Sequence, residues 1–197
     1  MKLTPVKNFN IEKPLPLTIE SDLVSSLQES GNYIGQPKLD EHRSFICFND
    51  DKIEVLGWRG NVHRIIPNTT SYNNLVLDGG LLITNKFRKE PFIYLFDVIL
   101  VGGNKVNADY EKRYEFLSNL KLSGNNVVAP NIKDFKEEYH RIKNKESKYI
   151  TELANKFGLK SSEIYDITEG LVLKNKSWKL RYKQNMNKNS DQIKIKF

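Results

Sequence analysis

The sequence has one cysteine, two methionines, two tryptophans and three histidines among its 197 residues. The single cysteine, Cys47, excludes an internal disulfide and a metal site built from several cysteines. The histidines are spread without the spacing of a metal-binding motif. A P-loop is excluded because segment 102–105 lacks the early glycine and the hydroxyl residue that this loop requires. No serine or cysteine nucleophile motif is present.

Long apolar segments are also missing from the sequence. No uninterrupted apolar run could span a bilayer, and residues 1–5 do not introduce the apolar core of a signal peptide. Hydrophobic residues make up 39% and charged residues 28% of the chain, which is typical of globular proteins in water. We therefore expect a cytoplasmic or other intracellular protein that has no membrane partner. The length predicts one domain with a substantial core.

The positive charge is concentrated near the C-terminus. The formal net charge is +7, and residues 174–197 contain eight basic residues against one acidic residue, so they account for the whole excess. Trp178 and Tyr182 lie among these cations. The combination predicts binding of a polyanion by phosphate neutralisation and stacking, with a solvated basic tail as the alternative.

Hydrophobic periodicity predicts strands, then helices, then strands again, which is typical of an α+β fold. The first segment, 1–18, contains three prolines and is expected to be extended. The predicted elements are a helix from Ser21 or Asp22 to Glu29, strands from Tyr33 to Val101, helices over 108–122, 132–143 and 145–157, and strands from Glu169 to at least Lys183.

A short segment at 36–43 combines one lysine, two carboxylates and one arginine. Lys38 is predicted to lie in the connection between an extended segment at 33–36 and a strand at 44–48. A lysine becomes a nucleophile when nearby cations or desolvation favour the free amine, and Arg43 is such a cation and a phosphate ligand. Taken alone, the segment is equally typical of a solvated surface loop.

Lys38, Leu39 and Asp40 with Arg43 resemble the nucleotidyl-lysine motif, Lys-x-Asp-Gly-x-Arg, of ATP-dependent polynucleotide ligases and RNA capping enzymes. Other segments resemble motifs of the same superfamily in the same order, and this order argues against coincidence. They are 58–60, similar to a Ser-Arg-x-Gly turn; 77–82, similar to Asp-Gly-Glu; 92–98, similar to a strand ending in Phe-Asp; 169–174, similar to Glu-Gly; and 178–183, similar to Lys-x-Lys.

The resemblance implies an α+β nucleotidyltransferase domain, ATP-grasp-like, with antiparallel sheets and flanking helices over 1–197. It also implies that Lys38 attacks the α-phosphorus of ATP, forms lysyl-AMP and releases pyrophosphate, with Mg²⁺ or Mn²⁺ as cofactor. AMP would then pass to a 5′-phosphate at a nick or end of DNA or RNA, and a 3′-hydroxyl would displace it. Because the sequence ends soon after Lys183, we expect no C-terminal OB-fold domain; a partner subunit or the basic segment would hold the nucleic acid.

The same resemblance assigns roles to individual residues. The catalytic residues would be Lys38, Asp40, Glu169 and Lys183, with Asp40 orienting the site. The nucleotide would be bound by Gln36, Lys38, Arg43, Phe96, Glu169, Lys179, Arg181 and Lys183. Glu169 would hold the metal, and Arg59 would contact nucleic acid. The last motif fits either Lys179 with Arg181 or Arg181 with Lys183, and ordinary basic surface is the alternative.

Each of these roles competes with a structural explanation. Phe96 would stack on the purine, whereas the residues around it favour core packing in a strand. Gln36 would read the base through its amide, or it is a plain loop glutamine. Arg59 is otherwise an exposed hairpin arginine, and Glu169 a solvated residue at a strand start.

Two departures from the motifs weaken the assignment of activity. Glu41 replaces the glycine of the lysine motif, and Gly80 replaces the glutamate of Asp-Gly-Glu, so recognition of the sugar needs a substitute such as Asp78. A ligase is favoured because capping enzymes usually have Asp-Gly where this chain has Glu169-Gly170. The alternatives are an RNA capping guanylyltransferase and a catalytically impaired relative that binds nucleic acid.

Overall fold

The computed structural model describes residues 14–20, 22–82, 92–122, 125–180 and 189–197. These residues form two compact units, each with its own sheet. Unit 1 contains residues 41–82, 92–122, 125–128, 179 and 180. Unit 2 contains residues 14–20, 22–40, 129–178 and 189–197.

The described chain runs through a group of strands, then mostly helices, then strands again, as the sequence predicts, and the α+β fold class is confirmed. The described elements are β1 (Pro14–Leu17), α1 (Asp22–Glu29), β2 (Tyr33–Leu39), β3 (His42–Phe48), β4 (Lys52–Gly57), β5 (Val62–Pro67), β6 (Leu75–Leu82), β7 (Phe92–Val101), β8 (Asn104–Lys105), α2 (Tyr110–Asn119), β9 (Asn126–Val128), α3 (Phe135–Lys143), α4 (Lys148–Phe157), α5 (Ser161–Asp166), β10 (Thr168–Asn175) and β11 (Asn189–Lys196).

The sheet of unit 1 has the strand order β5-β4-β3-β6-β7-β8, and β9 pairs in parallel with β7. One face of this sheet carries the apolar core, which includes Ile46, Leu77 and Leu95 and packs against Leu117 of α2. Side chains alternate across a strand, so the residues between these core positions belong to the opposite face. That opposite face therefore presents the side chains of 43, 45, 78, 94 and 96 as one surface.

A buried ion pair fixes helix α2 to strand β7 in unit 1. The guanidinium of Arg113 donates to both carboxylate oxygens of Asp97, at 2.8 and 2.9 Å, and it also donates to the carbonyl of Ala108 at 2.6 Å. Both side chains are almost completely buried. A bidentate pair supplies the hydrogen bonds that burial of two charges requires. Asp97 is therefore engaged in holding α2 on the sheet.

The sheet of unit 2 has the strand order β1-β11-β10-β2. Strand β10 pairs antiparallel with both β2 and β11, whereas β1 pairs parallel with β11. Strand β11 has the buried side chains Ile193 and Ile195 on one face, so the end of the basic segment is an internal strand. Trp178 is also buried and is not available for stacking on a ligand. These two observations argue against the alternative of a solvated basic tail, and the burial of Trp178 argues against the predicted stacking on its ring.

The helices of unit 2 have the sequence signals that begin and end helices. The hydroxyl of Ser147 accepts a hydrogen bond from the backbone N–H of Ile150 at 3.1 Å and caps α4. Gly158 ends the same helix in the left-handed conformation, with φ of 62°, as the sequence predicts. Among the described helices, none is long and apolar enough to cross a membrane.

The last predicted strand differs from the structure. The sequence predicts a strand from Glu169 to at least Lys183, but β10 ends at Asn175. The side-chain oxygen of Asn175 accepts a hydrogen bond from the backbone N–H of Ser177 at 2.9 Å. The backbone carbonyl of Asn175 accepts another from the backbone N–H of Trp178 at 3.0 Å. Asparagine stabilises turns by bonds of this kind, so the chain turns here instead of continuing the ladder.

Candidate active site

Lys38 lies on strand β2 and not in the loop that the sequence predicts. It is the last residue but one of β2, and its register partner is Gly170 on β10. Its ammonium group donates to the carboxylate of Glu169, and the two residues are 131 positions apart in sequence. The two side chains retain 19% and 30% of their exposure, so both are reachable from solvent. The structure therefore brings together the two residues on which the predicted chemistry most depends.

Glu169 is held between two lysines that come from the strands on either side of β10. The ammonium of Lys196 on β11 lies 2.9 Å from the Glu169 oxygen that also contacts Lys38. Gly170 pairs with Lys38 on one side and with Lys196 on the other. Sequence reasoning missed Lys196, although the alternating segment Gln192–Lys196 has the pattern of a strand.

The backbone at Gly170 explains why glycine follows the glutamate. Its φ is +139°, in a region that residues with side chains rarely adopt. A Cβ atom placed there would lie 2.0 Å from the carbonyl oxygen of Ile195 on β11. The pairing of β10 with β2 also shifts register between Thr168 and Gly170. The irregularity is centred on Glu169, and irregularities of this kind re-aim side chains at functional sites.

The pKa of Glu169 is lowered from its ordinary value. Partial burial acts in the opposite direction, but the hydrogen bonds from Lys38 and Lys196 and the charges of these two lysines outweigh it. Glu169 is therefore an ionised carboxylate at neutral pH.

Gln36 and Asp40 flank Lys38 in the chain but differ in their surroundings. Gln36 is buried on β2, and its amide nitrogen donates to the Oδ1 of Asn131 at 3.2 Å and to the carbonyl of Ala129 at 3.5 Å. Asp40 is exposed just after β2, where its backbone N–H donates to the carbonyl of Ile167 at 2.7 Å. Gln36 is thus not a plain loop glutamine, and its amide nitrogen is used within unit 2.

Arg43 and Asp78 form an ion pair on the face of the unit 1 sheet opposite its core. Arg43 donates to the two carboxylate oxygens of Asp78 at 3.0 and 2.6 Å. Burial lowers the pKa of Arg43, but the negative charges of Asp78, Glu41 and Asp97 together raise it above the ordinary value. The guanidinium also lies 4.9 Å from the centre of the Trp58 ring. Arg43 is therefore a fixed cation that is oriented by a carboxylate and an aromatic ring.

Unit 1 also contains two pairs of contacting aromatic rings. Trp58 stacks on Phe45 with ring centres 5.7 Å apart, and Phe96 meets Tyr94 edge to face at 5.4 Å. Phe96 is half-buried, whereas its neighbours on β7 are buried. Core packing therefore does not account fully for Phe96, and part of its side chain is accessible.

Arg59 is exposed in the turn between β4 and β5, as the sequence predicts. The turn is closed by a hydrogen bond from the N–H of Gly60 to the carbonyl of Gly57 at 2.8 Å, and Gly60 has a φ of +81°.

Lys179 is exposed and forms an isolated antiparallel bridge with Asp109 in unit 1. The other residues of the last motif, Arg181 and Lys183, lie outside the described residues.

No three His, Cys, Asp or Glu side chains within the described ranges converge to hold a metal ion. The carboxylate that contacts Lys38, and could therefore act as a metal ligand beside it, is that of Glu169. Mg²⁺ is commonly bound by one or two carboxylates together with substrate phosphates and water. A single carboxylate fits a metal that arrives with a nucleoside triphosphate.

No protein-family model and no curated protein matches this sequence. Solved structures do match. A structure from a study of Lig E DNA ligases has a TM-score of 0.56 and 16% identity over 95% of this chain and 70% of its own. A mycobacterial DNA ligase D complexed with ATP and MES has a TM-score of 0.57 and 14% identity, over 95% of this chain and 60% of its own. The ATP-dependent DNA ligase from bacteriophage T7 in complex with ATP has a TM-score of 0.60 and 14% identity, over 95% of this chain and 68% of its own. The chain has the fold of a DNA ligase nucleotidyltransferase domain.

The predicted relationship to ligases is therefore confirmed at the level of the fold. Within this fold, the lysine motif and the Glu-Gly motif lie on the adjacent strands β2 and β10. At 14–16% identity these comparisons describe architecture.

Proposed function

We propose that this chain is an ATP-dependent polynucleotide ligase that works through a covalent lysyl-AMP on Lys38. One observation carries the proposal: within a ligase-like fold, the ammonium of Lys38 contacts the carboxylate of Glu169 on the neighbouring strand. Solved structures with this fold include complexes with ATP, which supports ATP as the nucleotide.

The first step would form one bond and break another. The Nζ atom of Lys38 gives up a proton, and its lone pair forms an N–P bond with the α-phosphorus of ATP. The bond from that phosphorus to the bridging oxygen breaks, and its electron pair leaves with pyrophosphate. The second proton on the nitrogen is lost as the phosphoramidate forms. Glu169 Oε2 contacts Nζ and is placed to receive a proton from it.

Glu169 would also hold the divalent metal, Mg²⁺ or Mn²⁺. The metal supplies positive charge that offsets the charge on the transferring phosphates. The carboxylate of Glu169 contacts Lys38 and Lys196 in this structure, so a metal would compete with these two ammonium groups. Lys196 would in that case be released from Glu169 when the metal–nucleotide complex binds.

Three further residues would bind the nucleotide or the nucleic acid. Phe96 offers an accessible aromatic ring for the base, and Arg43 is a fixed guanidinium for the nucleotide. Arg59 is exposed on its turn and would contact a phosphate of the nucleic acid. Gln36, Asp40, Lys179, Arg181 and Lys183 keep the roles that the sequence resemblance implies.

The later steps would transfer AMP to a 5′-phosphate and join that end to a 3′-hydroxyl. The matched structures are of DNA ligases, which supports DNA as the substrate, and RNA is the alternative. The basic segment or a partner subunit would hold the nucleic acid.

The experiment is covalent labelling. The protein is incubated with α-labelled ATP or α-labelled GTP and Mg²⁺ or Mn²⁺, and then run on a denaturing gel. We expect a label from ATP that Lys38→Ala abolishes and that Lys143→Ala, at an exposed lysine of α3, leaves unchanged. Label from GTP alone would instead support the guanylyltransferase. No label from either nucleotide would contradict the proposal and favour a binding module.

The second half of the reaction is tested with a nicked duplex that carries a 5′-phosphate. Pre-adenylylated protein should convert a labelled nick to a sealed strand in a single turnover, without further ATP. A matched nick that lacks the 5′-phosphate is the control and should stay open. A protein that labels with ATP but never seals a DNA or RNA nick would be a nucleotidyltransferase of another kind.

A further inference from the structure

A tyrosine of helix α3 reaches the end of strand β11, beside the candidate site. The hydroxyl of Tyr139 donates to the backbone carbonyl of Lys196 at 3.0 Å, across 57 positions in the sequence. Its ring lies against that of Phe197, with ring centres 5.0 Å apart, and its side chain is almost completely buried. No motif in the sequence points to Tyr139, because these contacts arise only when α3 packs on the sheet.

The peptide group between Lys196 and Phe197 is held from both sides. Its N–H, on Phe197, donates to the backbone carbonyl of Glu169 at 3.2 Å. The N–H and the C=O of a trans peptide point in opposite directions, and no described peptide bond is cis, so the carbonyl of Lys196 faces away from β10. The hydroxyl of Tyr139 meets the carbonyl there. A chain of hydrogen bonds therefore runs from Tyr139 through one peptide group to Glu169.

Strand β1 does not extend far enough to pair with this peptide group. It ends at Leu17, whose register partner on β11 is Ile195, and the chain then turns at 19–20. The carbonyl of Lys196 therefore lies beyond the part of β11 that pairs with β1. Backbone carbonyls in folded proteins almost always find a donor. Tyr139 supplies that donor at the point where the neighbouring strand has ended.

Glu169, at the end of this chain of hydrogen bonds, lies where the sheet is irregular. The pairing of β10 with β2 shifts register at Glu169, so on that side the residue lies outside the regular ladder. On the other side its carbonyl is held by the N–H of Phe197. The backbone position of Glu169 determines where its carboxylate meets the ammonium groups of Lys38 and Lys196.

We propose that Tyr139 is a positioning residue of the candidate site, which holds the end of β11 and, through it, the backbone of Glu169. This inference rests on the proposed function, because it concerns the carboxylate that contacts the nucleophile. Burial, together with the charge of Glu20, raises the pKa of Tyr139, so its hydroxyl is protonated at neutral pH and can donate. A tyrosine with a purely structural role would stabilise the fold without affecting Lys38 or Glu169.

A matched pair of variants distinguishes these two roles. Tyr139→Phe and Tyr165→Phe each keep the ring and remove one hydroxyl that donates to a backbone carbonyl. Tyr165 donates to the carbonyl of Ser147 at 3.1 Å, at the start of α4 in the same unit. Urea unfolding should show similar small losses of stability, because each variant loses one hydrogen bond of the same kind. Both variants should therefore stay folded and differ in their effect on the site.

Amide hydrogen exchange and lysine acetylation are measured first, because neither depends on activity. The backbone amide of Phe197 should exchange about two- to tenfold faster in Tyr139→Phe than in the parent, since its peptide group loses one of two hydrogen bonds. Trace acetylation with acetic anhydride is followed by mass spectrometry, with the exposed Lys112 as internal reference. Lys38 should react about two- to tenfold faster in Tyr139→Phe, because an ammonium that is less firmly paired with a carboxylate gives up its proton more readily. Tyr165→Phe should show neither change.

Covalent labelling is the third measurement. In a single turnover with α-labelled ATP and Mg²⁺, Tyr139→Phe should lower the rate at saturating ATP about two- to tenfold. The ATP concentration that gives half of this rate should not change, because Tyr139 acts on the carboxylate that receives the proton and not on the nucleotide. Tyr165→Phe should label at the parental rate. A parental rate in Tyr139→Phe would overturn the inference.

The outcomes separate this inference from the proposed function. A parent protein that forms no covalent adduct contradicts the ligase, whereas faster exchange at Phe197 and faster acetylation of Lys38 in Tyr139→Phe alone still support the inference. Exchange and acetylation that are unchanged in Tyr139→Phe, or equal in the two variants, overturn the inference and leave the ligase standing. Faster exchange with unchanged acetylation of Lys38 also overturns it, because Tyr139 would then stabilise the end of β11 without affecting the site.

Discussion

Gly170 is the position at which one methyl group should do most damage to the candidate site. The glycine lies between Lys38 and Lys196 on the central strand of the three that carry the site, directly after Glu169. Its φ of +139° disfavours any side chain, and a Cβ atom would lie 2.0 Å from the carbonyl oxygen of Ile195. Gly170→Ala therefore forces β10 and β11 apart where Glu169 contacts Lys196.

Two costs combine in this substitution. A residue held in a sparsely populated backbone region costs about 1–3 kcal/mol. Overpacking against a neighbouring backbone costs about a further 1–3 kcal/mol. We expect Gly170→Ala to lower the free energy of unfolding by about 2–6 kcal/mol in total. Since domains are commonly stable by about 5–15 kcal/mol, much of the protein should remain folded.

A matched control isolates the steric part. Gly31 also has a positive φ, of +66°, but a Cβ atom there would meet nothing within 4 Å. Gly31→Ala should therefore cost about 1–2 kcal/mol from the backbone alone. Urea unfolding at pH 7 measures both free energies. A Gly170→Ala variant that is no less stable than Gly31→Ala would refute the argument that close approach of β11 requires glycine here.

Further predictions concern charges elsewhere in the chain. Glu169 has a lowered pKa in the folded state, so its stabilising contribution is present above its ordinary value of 4.5 and is lost as the pH falls through the folded value. Lys196→Met should therefore destabilise the protein to urea at pH 7 and less so at pH 3; an equal effect at both would contradict this. Arg113→Met should lower the free energy of unfolding by about 3–5 kcal/mol, because the buried carboxylate of Asp97 loses its partner. Adding Asp97→Leu should recover most of that loss, and no recovery would contradict the account. Cys47, whose pKa burial raises to about 12, should react with iodoacetamide at pH 8 only after unfolding in urea. Rapid labelling in native buffer would count against it.

The central pair of the site could be predicted because its two halves are carried by short local motifs. Lys38 with Asp40 and Arg43, and Glu169 with Gly170, are each weak signals, but their order along the chain matches one superfamily. The strands were also predictable, because β-branched and aromatic residues dominate 33–101. The fold and the pairing of Lys38 with Glu169 follow from these patterns without any knowledge of register.

The pairing register of the strands could not be predicted from the sequence. Most differences between the predicted and the observed structure come from this register. The sequence predicts a loop at Lys38 because this residue lies between an extended segment at 33–36 and a strand at 44–48, but β2 continues to Leu39 and pairs with β10. Helix α5 was missed because it is only six residues long and has one buried residue, Ile164. Such a short segment gives too few turns for a periodic signal.

Lys196 was missed for a different reason. The sequence after 174 is interpreted through its charge, which is the same for a solvated tail and for a strand with lysines on one face. The alternation of Ile193 and Ile195 with lysines distinguishes the two cases, because both isoleucines are buried in the sheet. Net charge therefore identifies the basic segment at 174–197, but it does not indicate that the end of this segment forms a strand.

The contact between Glu41 and Gly80 changes how the motif departures should be counted. Taken along the sequence, they are two independent defects in two motifs, 39 positions apart, and each weakens the case for an active enzyme. In the structure a Cβ atom built on Gly80 would lie 1.9 Å from the Cγ of Glu41 and 2.6 Å from its Cβ, so the two positions compete for one space. A single exchange that preserves the carboxylate is a smaller departure than two unrelated losses. The hypothesis of an impaired, binding-only relative is supported mainly by these two departures. It loses its principal argument if Gly80→Glu alone lowers the midpoint of thermal unfolding and Glu41→Gly combined with Gly80→Glu restores it.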